Sequence, residues 1–219
     1  MDEANAKAVQ AGGTAIAETA KLGGKVVDAG TGFAGWLKNT FGTIPQDLLG
    51  IAGGDWLHQQ RRRNLLALEM RTETIRALIG AGTAHEPSVS VVLPLLQAAA
   101  DEARPELQEL WAALLASALQ PDGGRRVRRA FFDTLRQMEP ADAALLDAIA
   151  SKTEWRTGDY IQAYELVEHL DISPTEADVA EQALKRMGLV RDGNKRLALT
   201  SLGKAFWTAC HPGLNEAVG

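Results

Sequence analysis

Residues 105–119 read PELQELWAALLASAL, and the reading of this run decides the fold. Leu107, Leu110, Trp111, Leu114 and Ala118 recur at intervals of three and four, the spacing of one face of a helix rather than the alternation of a strand. Pro105 suits a first helical turn, where no backbone N–H is needed. Outward from this helix the same period continues. SVSVVLPLLQAAA at 88–100 predicts a helix that Pro94 kinks or starts. WLHQQRRRNLLALEMRTETIRALI at 56–79 predicts a long amphipathic helix with Leu57, Leu65, Leu68, Ile75 and Leu78 on its apolar face. After a PDGG turn at 121–124, RRVRRAFFDTLRQM predicts another helix, and Pro140 opens the next, PADAALLDAIA.

The last third holds the only strand signal. YIQAYELVEHL reads as helix, and Ser173-Pro174-Thr175-Glu176 is a capping box with proline at the first helical position, opening TEADVAEQALKRM. Gly188 closes that helix. LVRDGNKRLALT predicts a hairpin around Asp192-Gly193-Asn194, followed by a final helix, SLGKAFWTAC. Helix, helix, helix, hairpin, helix is the order of a winged helix-turn-helix. The expected architecture is mainly α: a helical segment at 1–54, a helical domain at 55–138, a winged-helix-like module at 139–211, and a tail at 212–219.

The first segment differs in composition, holding 11 of the 21 glycines. Its small and apolar residues fall on a seven-residue repeat: Val9, Ile16, Gly23, Gly30, Leu37 and Ile44, with Gly13, Ala20, Val27, Ala34 and Phe41 between them. Such a seam lets backbones approach closely but buries little area, and each interior glycine costs about 1 kcal/mol against alanine. The segment is expected to need a neighbour, either another copy or a lipid surface, and Pro45 with Gly53-Gly54 to end it. Gly30, Gly32 and Gly35 also spell GxGxxG. A dinucleotide site needs a strand before that turn and βαβ units around it, and neither is present.

With 46% apolar and 23% charged residues, the chain has the balance of an ordinary globular protein. A net charge of −5 offers no whole-molecule attraction to nucleic acid. Charge is blocked, however. Residues 56–80 and 121–138 each carry +3, whereas 139–180 carry −8. The single Cys210 excludes an internal disulfide framework, and four scattered histidines give no metal-ligand spacing, so no metal or cofactor is expected. No secretory signal opens the chain, and the longest uncharged run, Pro87 to Ala100, is too short to span a bilayer. The expected location is cytoplasmic, with peripheral contact at the inner membrane.

LPLLQAAADEARPELQELWAALLASALQP and AFFDTLRQMEPADAALLDAI resemble the Abi-alpha family, bacterial proteins associated with abortive infection against phage. The matching features are Leu-Pro-Leu-Leu at Leu93 to Leu96, an acidic linker, Leu-Gln-Glu-Leu-Trp-Ala at Leu107 to Ala112, Ala-Phe-Phe from Ala130, and Pro-Ala-Asp at Pro140 to Asp142. The ending GLV…LALTSLGKAFWTAC is similar too. The resemblance implies a role in phage defence and supplies no catalytic residues.

Three candidate surfaces follow from the residues. Trp56 with Arg61, Arg62 and Arg63 fits anionic lipid headgroups, tryptophan sitting at the interface; the plainer reading is the solvated face of an amphipathic helix. Arg125, Arg126, Arg128 and Arg129 stand at an expected helix start, where cations oppose the dipole and invite an anionic partner, within the molecule or outside it. In the winged module the recognition helix would begin Thr175, Glu176, Asp178, Glu181. Those acids repel phosphate, and only the wing, with Arg191, Lys195 and Arg196, carries the opposite sign. A protein-interaction role is therefore expected there, and a DNA-binding regulator is the alternative. Asp101-Glu102 and Glu106-Glu109 read as solvated helix faces, and no nucleophile motif points to an enzyme. The expected function is a non-enzymatic phage-defence effector that self-associates or engages the membrane through residues 1–54.

Overall fold

The computed structural model describes residues 29–41, 54–152, 170–193 and 196–213. The described residues form nine helices and one two-stranded antiparallel hairpin, the mainly helical class expected from the period of the sequence. The chain divides into two compact units, residues 1–35 and 36–219. Of the first unit the description covers the backbone that opens helix α1, Ala29–Phe41. Gly30 and Ala34 lie on that helix, whereas Val9, Ile16, Ala20, Gly23 and Val27 lie outside the described residues.

In the second unit, α2 spans Trp56–Leu78, α3 Val89–Asp101, α4 Pro105–Ala118, α5 Gly123–Arg126, α6 Arg129–Gln137 and α7 Pro140–Lys152. Helix α4 is the hub: α2, α3, α5, α6, α7 and α9 (defined below) all pack on it. Every residue from Trp111 to Leu119 is buried. The alanines at 112, 113, 116 and 118 let neighbouring helices come close, while Leu107, Trp111, Leu114 and Leu115 fill the space between them. Each such leucine contributes about 1.5–3 kcal/mol on burial.

The turn from α3 to α4 shows how the chain satisfies its helix ends. The last carbonyls of a helix lack partners within it. Here the Asn64 side chain on α2 donates to the Ala100 carbonyl at 2.8 Å, and the Gln108 amide donates to the Glu102 carbonyl at 2.7 Å. Arg71 of α2 donates in turn to Gln108 Oε1 at 2.9 Å. Polar side chains on otherwise apolar faces thus stitch α2 to the α3–α4 corner.

The start of the second unit is also tied to α2. Leu37 and Phe41 of α1 are buried, Trp36 meets Phe41 edge-on at 5.2 Å, and the Trp36 indole donates to Glu73 at 3.0 Å. This end of the glycine-rich stretch has large side chains, and it uses them.

Of the two places expected for Pro94, the structure has it inside α3 and not at its start. One local expectation changes. The arginine run at 125–129 does not form one helix: α5 is a single turn, Val127 is extended and buried, and α6 begins at Arg129. An isolated valine among arginines gives no periodic signal, yet its burial breaks the helix there.

The C-terminal part contains α8 (Pro174–Arg186), β1 (Val190–Gly193), β2 (Arg196–Leu199) and α9 (Ser201–Ala209). The capping box at Ser173 and Glu176 is present in both directions, at 3.2 Å and 2.8 Å. Gly188 follows α8 at φ +72, the left-handed position that ends a helix. Val190 pairs with Leu199 and Gly193 with Arg196 in the hairpin. The hairpin base rests directly on α9: a Cβ at Gly203 would lie 2.0 Å from the Leu189 carbonyl oxygen, so only glycine fits. Helix, hairpin, helix agrees with the expected order, and YIQAYELVEHL, apart from its last residue Leu170, lies outside the described residues. Ser117 of α4 donates to the Ala209 carbonyl at 2.6 Å, closing the end of α9. Beside it Cys210 is buried, and burial pushes its thiol well above the ordinary range.

Candidate functional site

Helix α2 has two unlike faces. Asn64, Leu65, Leu68 and Thr72 are buried. On the opposite side Trp56 is 72% exposed and Met70 58%, while Leu57 and Leu78, expected on the apolar face, are open at the two ends of the helix. Trp56, Arg63, Met70 and Ala77 are seven apart, and all are exposed. A seven-residue spacing keeps side chains on one line of a helix, so this is a continuous apolar and basic stripe. Asp55 holds the amino end as N-cap, accepting from the His58 backbone N–H at 3.0 Å.

The three arginines near Trp56 are not equivalent. Arg61 donates to Asp101 of α3 at 2.6 Å and is thereby committed to holding two helices together. Arg62 and Arg63 are exposed; Arg63 donates to Gln60 at 2.7 Å, and neither has an ion pair among the described residues.

The second cluster divides similarly. Arg126 pairs with Asp122 one turn earlier. Arg125, Arg128 and Arg129 are exposed and have no ion pair among the described residues. Arg125 and Arg126 occupy the last turn of α5, where the dipole suits cations. Arg128 and Arg129 stand at the start of α6, where it does not, and no side chain caps that start. One turn further on, Phe132, Asp133 and Arg136 of α6 face Pro94 and Ala98 of α3 across an open cleft of about 320 Å³ that also includes Arg129. Arg136 and the cleft escaped the sequence reading, although Arg129 and Arg136 are seven apart and so share a helix face.

Two acids taken for solvated faces have other roles. Glu102 is buried. Desolvation raises its pKa, but hydrogen bonds from the Arg104 side chain and backbone N–H outweigh that and hold its carboxyl below the usual range. Arg104 also pairs with Glu139, and these contacts push the guanidinium still higher. Burial raises the carboxyl of Glu109. At the other end of the unit, Asp147 of α7 accepts from the Trp207 indole at 3.1 Å and meets His211 at 3.3 Å.

Of the residues expected on a wing, Arg191 is exposed on β1, Arg196 lies on β2, and Lys195 lies outside the described residues. The expected recognition helix α8 presents Glu176 and Asp178 to solvent in its first half, an arrangement that repels phosphate. Among the described residues no group of three His, Cys, Asp or Glu side chains is placed to hold a metal ion, and no helix is long and apolar enough to cross a membrane.

The residues that carry the likeness to Abi-alpha meet in the core. Leu95, Leu96, Leu107, Trp111, Ala112, Phe131 and Phe132 are all buried, and the Trp111 and Phe132 rings lie 6.2 Å apart. Pro-Ala-Asp opens α7, with Asp142 accepting from the Glu139 backbone N–H at 2.9 Å. These positions specify how the helices pack, and the surfaces above are built on that frame. No curated protein and no solved structure matches the chain. The family model for abortive infection alpha matches residues 60–195, from the arginine helix to the C-terminal hairpin. The chain therefore belongs to the abortive infection alpha family.

Proposed function

We propose that the protein is a phage-defence effector that works without catalysis, by contact of its N-terminal quarter and the amino end of α2 with an anionic membrane surface or with other copies of the chain. Family membership supports the defence role. The observation that carries the mode of action is the exposure of Trp56 and Leu57 near Arg62 and Arg63, which have no ion pair among the described residues. These four residues directly follow the glycine-rich stretch, so a surface that held one would meet the other. Aromatic rings favour the headgroup level of a bilayer, and each cation near an anionic surface contributes about 1 kcal/mol. With Arg61 committed to Asp101, two arginines remain and supply about 30-fold in affinity. That is weak alone, and adequate only when added to the apolar side chains or to several copies bound together.

Flotation of the full chain with vesicles of phosphatidylcholine, with and without phosphatidylserine, tests this. Binding is expected only to the anionic vesicles, to fall with salt, and to drop about 30-fold in Arg62→Gln/Arg63→Gln, with a larger drop on reversal to Glu. Absence of binding to anionic vesicles at low salt, together with a monomeric mass for the full chain, would overturn the reading.

A further inference from the structure

The cleft between α3 and α6 has a composition that neither the packing of the core nor the membrane reading accounts for. Its floor is apolar, formed by Pro94, Ala98 and Phe132. Two guanidinium groups, Arg129 and Arg136, stand along it, and neither has an ion pair among the described residues. Between them in sequence is a carboxylate, Asp133, which pairs with neither. Arg125 and Arg128, also without an ion pair among the described residues, add two more cations just upstream. In a chain of net charge −5, positive charge that has no counter-ion among the described residues, around an apolar trough, marks a place for an anionic partner.

The geometry narrows the partner. Seven residues of helix rise about 10.5 Å, so the two arginines are two turns apart. Asp133 repels a compact polyanion such as pyrophosphate placed between them, and such a group leaves the apolar lining of Pro94, Ala98 and Phe132 uncovered. A lipid surface is flat and leaves a trough unfilled. A peptide supplies separated carboxylates, an apolar side chain for the floor, and N–H donors for Asp133. Arginine forks pair with carboxylates through two parallel hydrogen bonds. A groove between two helices is also the usual seat for a third, with anchor residues at i and i+7.

We propose that this cleft is a docking groove for an acidic peptide segment of a partner protein, with Arg129 and Arg136 as its two anion anchors. The proposal does not depend on membrane contact by α2, which involves different residues, and vesicle binding by the Arg129→Glu/Arg136→Glu variant is expected to equal that of the wild type.

The experiment pans a displayed library of random peptides against the full chain, after removing whatever binds the Arg129→Glu/Arg136→Glu variant. The retained pool is expected to be rich in Asp and Glu flanking an apolar residue. Individual synthetic peptides from it should bind the wild type about tenfold more tightly than the variant, and Arg129→Gln/Arg136→Gln should also weaken them. Asp133→Asn should tighten them, a gain that loss of folding does not produce. A pool without acidic enrichment, equal binding to wild type and variants, or displacement of the peptides by inorganic pyrophosphate would overturn the proposal.

Discussion

Helices α2 and α4 lie against each other and spend their side chains differently. From Trp111 onward α4 is covered on every side and has nothing left to offer solvent. Helix α2 buries a narrow line around Leu65 and Leu68 and leaves Trp56 and Met70 open on the opposite side and Leu78 open at its carboxyl end. Both sequences are rich in leucine and read as helix, so apolar content alone does not separate them. What separates them is width: alanine and leucine continue around α4, whereas arginine, glutamine and glutamate interrupt α2. The core helix fixes the shape, and the half-covered helix carries what is available for contact. Large apolar groups left in water on an otherwise well-packed unit mark interaction surfaces.

The contrast is broken most severely in α4. Leu114→Ala removes a fully buried side chain at the meeting of several helices, and the expected loss is about 2–5 kcal/mol, read from urea unfolding. A smaller effect belongs to the corner that joins the two helices. Glu102→Gln keeps the shape but weakens the bonds to Arg104, costing about 1–2 kcal/mol at neutral pH because Arg104 faces solvent and is screened. The sign with pH follows from the lowered carboxyl. Its contribution is present above the ordinary value of 4.5 and is lost as pH falls from there through the folded value. The wild type should therefore lose stability between neutral and acid pH more steeply than Glu102→Gln, by urea midpoints across that range. The smallest effect belongs to the open face of α2. Met70→Ser/Leu78→Ser should change stability by less than about 0.5 kcal/mol; a loss as large as that of Leu114→Ala would mean the face is covered after all.

Much of this was legible in the sequence because it depends on neighbours along the chain. The capping box at Ser173, the helix stop at Gly188, proline at the start of α4 and the hairpin at 190–199 all rest on contacts within a few residues. The site was legible only in part. Arg61, Arg62 and Arg63 look alike in the sequence, and only the approach of Asp101, forty positions away, separates the first from the others. Glu102 looks like a solvated acid until Arg104 folds back onto it. The burial of Val127, which splits the arginine run, follows from packing and not from any period. Leu37 and Phe41 were read as members of the small-residue seam and Trp36 was not singled out, because the bond that ties this end to α2 depends on Glu73, 37 positions on from Trp36.

Cys210 supplies a natural reporter. It is the chain's sole sulfhydryl, buried where the end of α9 meets Ser117 of α4. An alkylating reagent can reach it only when that contact parts. The rate of its modification under native conditions is thus a clock for local opening at the C-terminal edge, and a bound vesicle, peptide or second copy that tightens or loosens the hub would register as a change in that rate.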